Sequence, residues 1–95
     1  MHVVIRKYTA GPEVLDEARS KLPHLEQTMR GTPGFVAYYF VETADGLATI
    51  TITEDEAGGS ESMTRAAGWV KQNLPNSTLG PPEVIKGSTL IGATR

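Results

Sequence analysis

The run Phe35-Val36-Ala37-Tyr38-Tyr39-Phe40-Val41 constrains the fold of this chain more than any other feature. It is made of aromatic, β-branched and small apolar residues, the composition of a strand. Successive strand side chains point to opposite faces. Phe35, Ala37, Tyr39 and Val41 therefore form one apolar face, and Val36, Tyr38 and Phe40 another. An antiparallel sheet in a small protein ordinarily keeps one face in water and reads as an alternation. Here both faces need cover, and 95 residues leave little chain to supply it.

The flanking segments indicate how the cover is built. "HVVIRKY" (residues 2–8) reads as a short strand closed by Gly11-Pro12. Leu15, Ala18, Leu22, Leu25 and Met29 then recur at steps of three and four, the stripe of an amphipathic helix. Pro12 suits its first turn, Glu13, Asp16 and Glu17 favour the positive end of the helix dipole, and Gly31 and Pro33 stop it. Pro23 predicts a kink or break near residues 19–23. Two strands, Gly34–Glu42 and Leu47–Thr53, are joined through an Asp-Gly hairpin signal. The second alternates Ala48, Ile50 and Ile52 with Thr49, Thr51 and Thr53.

A second helix fits residues 56–73, capped by Asp55 or Ser60 and lined by Met63, Ala66, Ala67, Val70 and Leu74. The segment "LPNSTLGPP" cannot continue it. The stretch 83–91 ("EVIKGSTLI") reads as a last strand, with Gly87 as a bulge or point of close approach. The order β-α-β-β-α-β predicts one α+β domain over residues 1–95, with a ferredoxin-like four-stranded antiparallel sheet and two helices on one face. The other face is left apolar, and a second copy of the same sheet in a two-fold homodimer is the economical cover.

Bulk properties remove several classes of function. A net charge of -2 gives no basic footprint for nucleic acid or an anionic membrane surface. The chain contains no cysteine, and its two histidines lie far apart in sequence, so no transition-metal site is expected. No apolar run approaches a membrane span or a signal segment, so a soluble, cytoplasmic protein is expected. No phosphate loop and no G-x-S-x-G nucleophile turn is present.

With the elements in place, "PGFVAYYFVE", the Asp-Gly hairpin, "EDEAGGSESMTRAAGWVKQNLP" and "PPEVIKG" together resemble the antibiotic-biosynthesis-monooxygenase-like group of dimeric α+β barrels. The resemblance covers nearly the whole chain and is most specific at Pro33-Gly34-Phe35. It implies a homodimer whose two sheets meet to form a barrel, and a cavity in each protomer between the sheet and its own helices. It also implies a range of chemistry: cofactor-independent oxygenation of quinol-like aromatics, haem degradation, small-molecule isomerisation, or none.

Haem degradation in that group combines an Asn on the first strand with a Trp and a ligating His near the second helix. Here the first strand offers Arg6, Tyr8 and Thr9 but no Asn, and no His follows His24, so this branch is set aside. Cofactor-independent oxygenation asks only for a dry pocket that binds an aromatic, helps remove its proton and excludes water. His24 and Tyr38 are the candidate catalytic residues. Trp69, Arg6 and Phe40 are the candidates for holding a small apolar or aromatic substrate, and neither a metal nor a cofactor is called for. Each has a structural alternative: Trp69 as core, Tyr38 or Tyr39 at a sheet–sheet interface, His24 facing solvent, and Arg6 pairing across a dimer. A non-catalytic dimeric binding or structural protein of the same fold is the rival reading.

Overall fold

The computed structural model describes residues 1–74 and 79–95. The elements follow in the order β1 (His2–Thr9), α1 (Pro12–Arg19), α2 (Leu22–Arg30), β2 (Phe35–Thr43), β3 (Gly46–Thr53), α3 (Glu56–Asn73) and β4 (Glu83–Ser88). The strands form one antiparallel sheet in the order β2-β3-β1-β4, and the helices pack on a single face of it. This is the ferredoxin-like arrangement, with the first helix divided in two.

The division falls where Pro23 predicts it. Proline has no backbone N–H and is tolerated only in a helix's first turn. Pro23 accordingly occupies the first turn of α2, and the chain turns through Ser20 and Lys21. At the other end of α2, Gly34 adopts φ +72, a left-handed conformation that glycine takes without strain, and swings the chain into β2. Its carbonyl accepts from Glu54 N–H at 2.8 Å, tying the start of β2 to the end of β3.

The apolar run departs from strict alternation. Phe35 pairs with Thr53 and Ala37 with Ile52, so Val36 is an extra, bulged residue. The bulge turns Phe35 to the helix side with Tyr38 and Phe40, while Ala37, Tyr39 and Val41 take the open side. β3 sends Thr49, Thr51 and Thr53 toward the helices, where all three are buried, and leaves Ala48, Ile50 and Ile52 on the open side. β1 buries His2, Val4 and Arg6 under the helices and turns Val3 and Ile5 outward. Ile85, Ile5, Ile50 and Tyr39 thus form one continuous row across the open face. Tyr39 is 56% exposed there, and Ile85 50%.

α3 begins at Glu56. The Asp55 carboxylate caps it, with Oδ1 accepting from Gly58 N–H at 2.9 Å. Its buried stripe is Gly58, Gly59, Ser62, Ala66 and Trp69. This differs from the expected stripe: Ala67 is exposed, and Met63 and Val70 are half-buried. The stripe is set by close approach at the N-terminal end. A β-carbon on Gly58 would stand 2.5 Å from the Pro33 carbonyl oxygen, and one on Gly59 2.4 Å from the His2 ring. Small residues hold that end tight to the sheet, and Trp69 fills a deeper gap at the other.

β4 ends at Ser88, three residues short of the expected end. Its pairing with β1 is regular through Gly87, where a β-carbon would meet nothing within 4 Å, so this glycine marks neither a bulge nor a close approach. Residues 75–78 of the expected loop lie outside the described residues. No helix among the described residues is long and apolar enough to cross a membrane.

Candidate functional site

The deep end of the sheet–helix layer holds a small cavity of about 30 Å³, room for roughly one water. Its floor is the sheet: Arg6 and Tyr8 from β1, Tyr38 and Phe40 from β2, and Leu47 and Thr49 from β3. The two β1 residues are two apart, so the pleat sends both toward the helices. Thr49 pairs with Arg6 on one side and Phe40 on the other, which puts a charge, a hydroxyl and an aromatic ring in one cross-strand row. The roof is apolar: Leu25 of α2, Ala66, Trp69 and Val70 of α3, then Leu74 and Leu79.

Arg6 dominates the electrostatics. It is only 7% exposed, and among the described residues no carboxylate pairs with it or lines the cavity. Its guanidinium donates to the Tyr8 hydroxyl and lies 5.4 Å from the Tyr8 ring centroid. A buried cation is costly unless it is paired and hydrogen-bonded. One phenol satisfies only part of a group with five N–H donors. The site therefore presents an unneutralised positive charge to anything that enters.

Burial governs the neighbouring phenols. It pushes Tyr38 up to about 12; the Arg6 charge pulls back, the nearby Tyr8 adds to the rise, and a hydrogen bond with Thr49 opposes it. Tyr8 is raised as well, by burial, against the charge and hydrogen bond of Arg6. Both remain neutral O–H donors at physiological pH. Neither is a ready base.

Of the residues singled out from the sequence, Arg6, Tyr38, Phe40 and Trp69 line this one cavity. His24 does not. It sits on the exposed side of α2, and its Nδ1 accepts a hydrogen bond from the Trp69 indole N–H at 3.0 Å. Tyr39 faces the open side of the sheet. Tyr8 and Thr49 belong to the site but were not among the sequence candidates. The two-residue step from Arg6 signals Tyr8; nothing in the alternation of β3 signals that the threonines face inward. Among the described residues no group of three or more His, Cys, Asp or Glu comes together to hold a metal ion.

The sequence matches no family model and no curated protein. Solved structures give the likeness instead. The heme-degrader MhuD from Mycobacterium tuberculosis, with two hemes bound in its active site, superposes with a TM-score of 0.75 at 12% identity, over 99% of this chain and 100% of that one. Rv0793 from the same organism gives 0.72 at 21% identity, over 98% of each chain. The monooxygenase ActVA-Orf6 of Streptomyces coelicolor, in complex with nanaomycin D, gives 0.66 at 15% identity, over 99% of this chain and 89% of that one. A candidate antibiotic biosynthesis monooxygenase from Chloroflexus aurantiacus also shares the fold, with a TM-score of 0.69 at 14% identity over 98% of this chain and 96% of that one. At these identities the likeness is one of fold, and function has to be argued from the site.

Proposed function

We propose that this chain is a homodimeric small-molecule protein whose cavity takes a phenolic or quinol-like aromatic as its anion, and that it acts as a cofactor-independent monooxygenase on that substrate. The observation that carries the reading is the buried Arg6 guanidinium, with no carboxylate beside it, in a pocket whose other polar groups are the hydroxyls of Tyr8, Tyr38 and Thr49 and whose remaining walls are apolar. Proteins of like fold hold hemes in one case and nanaomycin D in another, which supports a planar ligand class for this fold.

The residues divide the work on physical grounds. Trp69 and Phe40 offer faces to an aromatic ring. Arg6 lowers the free energy of a phenolate relative to the phenol, so the substrate binds ionised and its proton leaves to solvent; no base in the cavity is needed. Tyr38 and Tyr8, held neutral, donate hydrogen bonds to the developing oxyanion. The ionised ring supplies the electrons to O₂. One oxygen is retained as a quinone carbonyl and the other leaves as water, so a phenol and O₂ balance against a quinone and water. The homodimer would cover the apolar row through Ile5, Ile50 and Tyr39.

The small cavity favours a second reading, a non-catalytic dimeric binder. A substrate must displace part of the leucine wall to enter. Oxygen uptake with a dihydroxynaphthalene, run alongside a fluorescence binding titration, separates the two. Saturable binding that Arg6→Leu weakens at least tenfold, with enzyme-dependent uptake, supports the oxygenase. Binding without uptake leaves the binder, and absence of both overturns the site.

A further inference from the structure

The roof of the cavity is tied to the outside by one bond. Trp69 is 4% exposed and is the largest side chain in that roof. Its indole N–H has a single hydrogen-bond partner among the described residues, Nδ1 of His24 at 3.0 Å. The other roof side chains, Leu25, Ala66, Val70, Leu74 and Leu79, are aliphatic and are held by packing alone. His24 is exposed on α2, so the polar edge of the indole lies in the gap between α2 and α3 while its rings cover the cavity.

The bond depends on the charge of the imidazole. A neutral ring with its proton on Nε2 offers a lone pair at Nδ1, whereas both nitrogens of the imidazolium are donors. Protonation of His24 therefore turns the acceptor into a second donor facing the indole. The exposed imidazolium can turn to water. The buried indole is left with an unpaired N–H, which is unfavourable.

The surroundings identify which group can carry this change. On α2 and the turn before it, Glu26 pairs with Arg30, and Lys21 donates to the Asn73 carbonyl, with Glu17 of α1 4.0 Å away. On α3, Glu61 pairs with Arg65, and the Asn73 amide donates to the Trp69 carbonyl. From the sheet, Arg6, Tyr8 and Tyr38 face the cavity beneath the indole, both phenols raised by burial. Among these side-chain types, only an imidazole ordinarily changes charge between about pH 5 and pH 8. The chain's other histidine, His2, lies against Gly59 at the opposite end of α3.

The cavity gives the change a consequence. At about 30 Å³ it has no room for an aromatic ring, and moving the indole vacates more of the roof than moving any other side chain in it. We infer that His24 is a positioning residue of the site: as a neutral imidazole it holds Trp69 across the cavity, and on protonation it releases the indole and opens the cavity to an aromatic anion. The inference rests on the anion-site reading and adds its control by pH. Ligand entry and protonation then favour the same open state, so binding is accompanied by proton uptake.

Trp69 is the only tryptophan, so its fluorescence follows the roof directly. Acrylamide quenching is measured from about pH 8 to pH 5 in the wild type, His24→Asn and His24→Phe, with circular dichroism checking the fold at each pH. Asparagine sets a non-titrating amide oxygen near the place of Nδ1, and phenylalanine keeps a ring without an acceptor. The wild-type quenching constant should rise at least twofold in acid, stay low in His24→Asn and be high throughout in His24→Phe. A flat wild-type profile overturns the inference. So does a rise that persists in His24→Asn, which would place the proton on another group, His2 first.

Stopped-flow binding of 2-naphthalenesulfonate, an aromatic anion whose charge is constant over this range, supplies the second readout. Association should be at least fivefold faster at the acid end in the wild type and independent of pH in His24→Asn. Release of the indole without faster association overturns the opening of the cavity. Quenching as expected with no binding at any pH overturns the anion site instead, and leaves the hold of His24 on Trp69 standing.

Discussion

Trp69 and His24 are joined across two helices: the buried indole of α3 donates its N–H to Nδ1 of an exposed imidazole on α2, at 3.0 Å. The ring centroids stand 6.5 Å apart, tilted by 36°. The bond requires His24 to be neutral at Nδ1, so this histidine is an acceptor that orients the cavity roof from outside. His24→Phe deletes the acceptor at a place where water can partly replace it. The cost should be about 0.5–1.5 kcal/mol, the net worth of one such bond. Chemical denaturation measures it, and a shift in Trp69 emission should accompany it. No change in either would mean the bond does not constrain the indole in solution.

Tyr38 gives the alkaline limb of stability a definite sign. Burial raises its pKa from 10.0 to about 12, so the folded state holds the proton more tightly than the unfolded chain. Its contribution is fully present below pH 10 and is lost as pH climbs from 10 toward 12. Thermal melts across that interval should fall steeply in the wild type and less steeply in Tyr38→Phe. Identical slopes would show that Tyr38 titrates as a solvated phenol.

Tyr39 and Phe40 are neighbours with separable roles. Phe40 packs against both apolar clusters under the helices, whereas Tyr39 stands on the open face. Phe40→Asp should abolish cooperative folding, because it buries a carboxylate and removes an aromatic contribution of about 1.5–3 kcal/mol. Tyr39→Asp should leave the protomer's circular dichroism intact and abolish association. A Tyr39→Asp chain that remains associated at low concentration would move the contact to another surface.

Two helical glycines in α3 should respond in opposite directions. At Gly68 an added β-carbon meets nothing within 4 Å, and Gly68→Ala should stabilise by about 0.5–1 kcal/mol through helix propensity alone. At Gly58 the same methyl meets the Pro33 carbonyl oxygen at 2.5 Å and Thr53 at 3.0 Å. Gly58→Ala should therefore destabilise, by about 1–3 kcal/mol as overpacking does. Paired urea melts decide it.

The features legible in the sequence were those set by local chemistry. Proline dictated the break before α2, the Asp-Gly signal marked the hairpin, and of the two expected caps, Asp55 and Ser60, Asp55 opens α3. Strand order followed from element order. The pleat made it certain that Tyr38 and Tyr39 part company. What depended on long-range packing was hidden. The bulge at Val36 arises from pairing with β3, so alternation alone assigns Phe35 to the wrong side. The stripe of α3 is chosen by how near Pro33 and His2 come to its glycines, which displaces Ala67 outward. In β3 both sides are β-branched or small, and hydrophobicity would send the isoleucines inward, opposite to what the fold does. Thr49 was therefore invisible as a site residue, whereas Tyr8 was legible in its two-residue step from Arg6.

The glycines under α3 and the tryptophan at its far end together make the space between helix and sheet a wedge. At the thin end backbone approaches backbone, and no side chain there can grow. At the thick end the gap is filled by Trp69, Phe40 and leucine side chains. Tolerance of added side-chain bulk is thereby lowest at Gly58 and Gly59, where helix and sheet nearly touch.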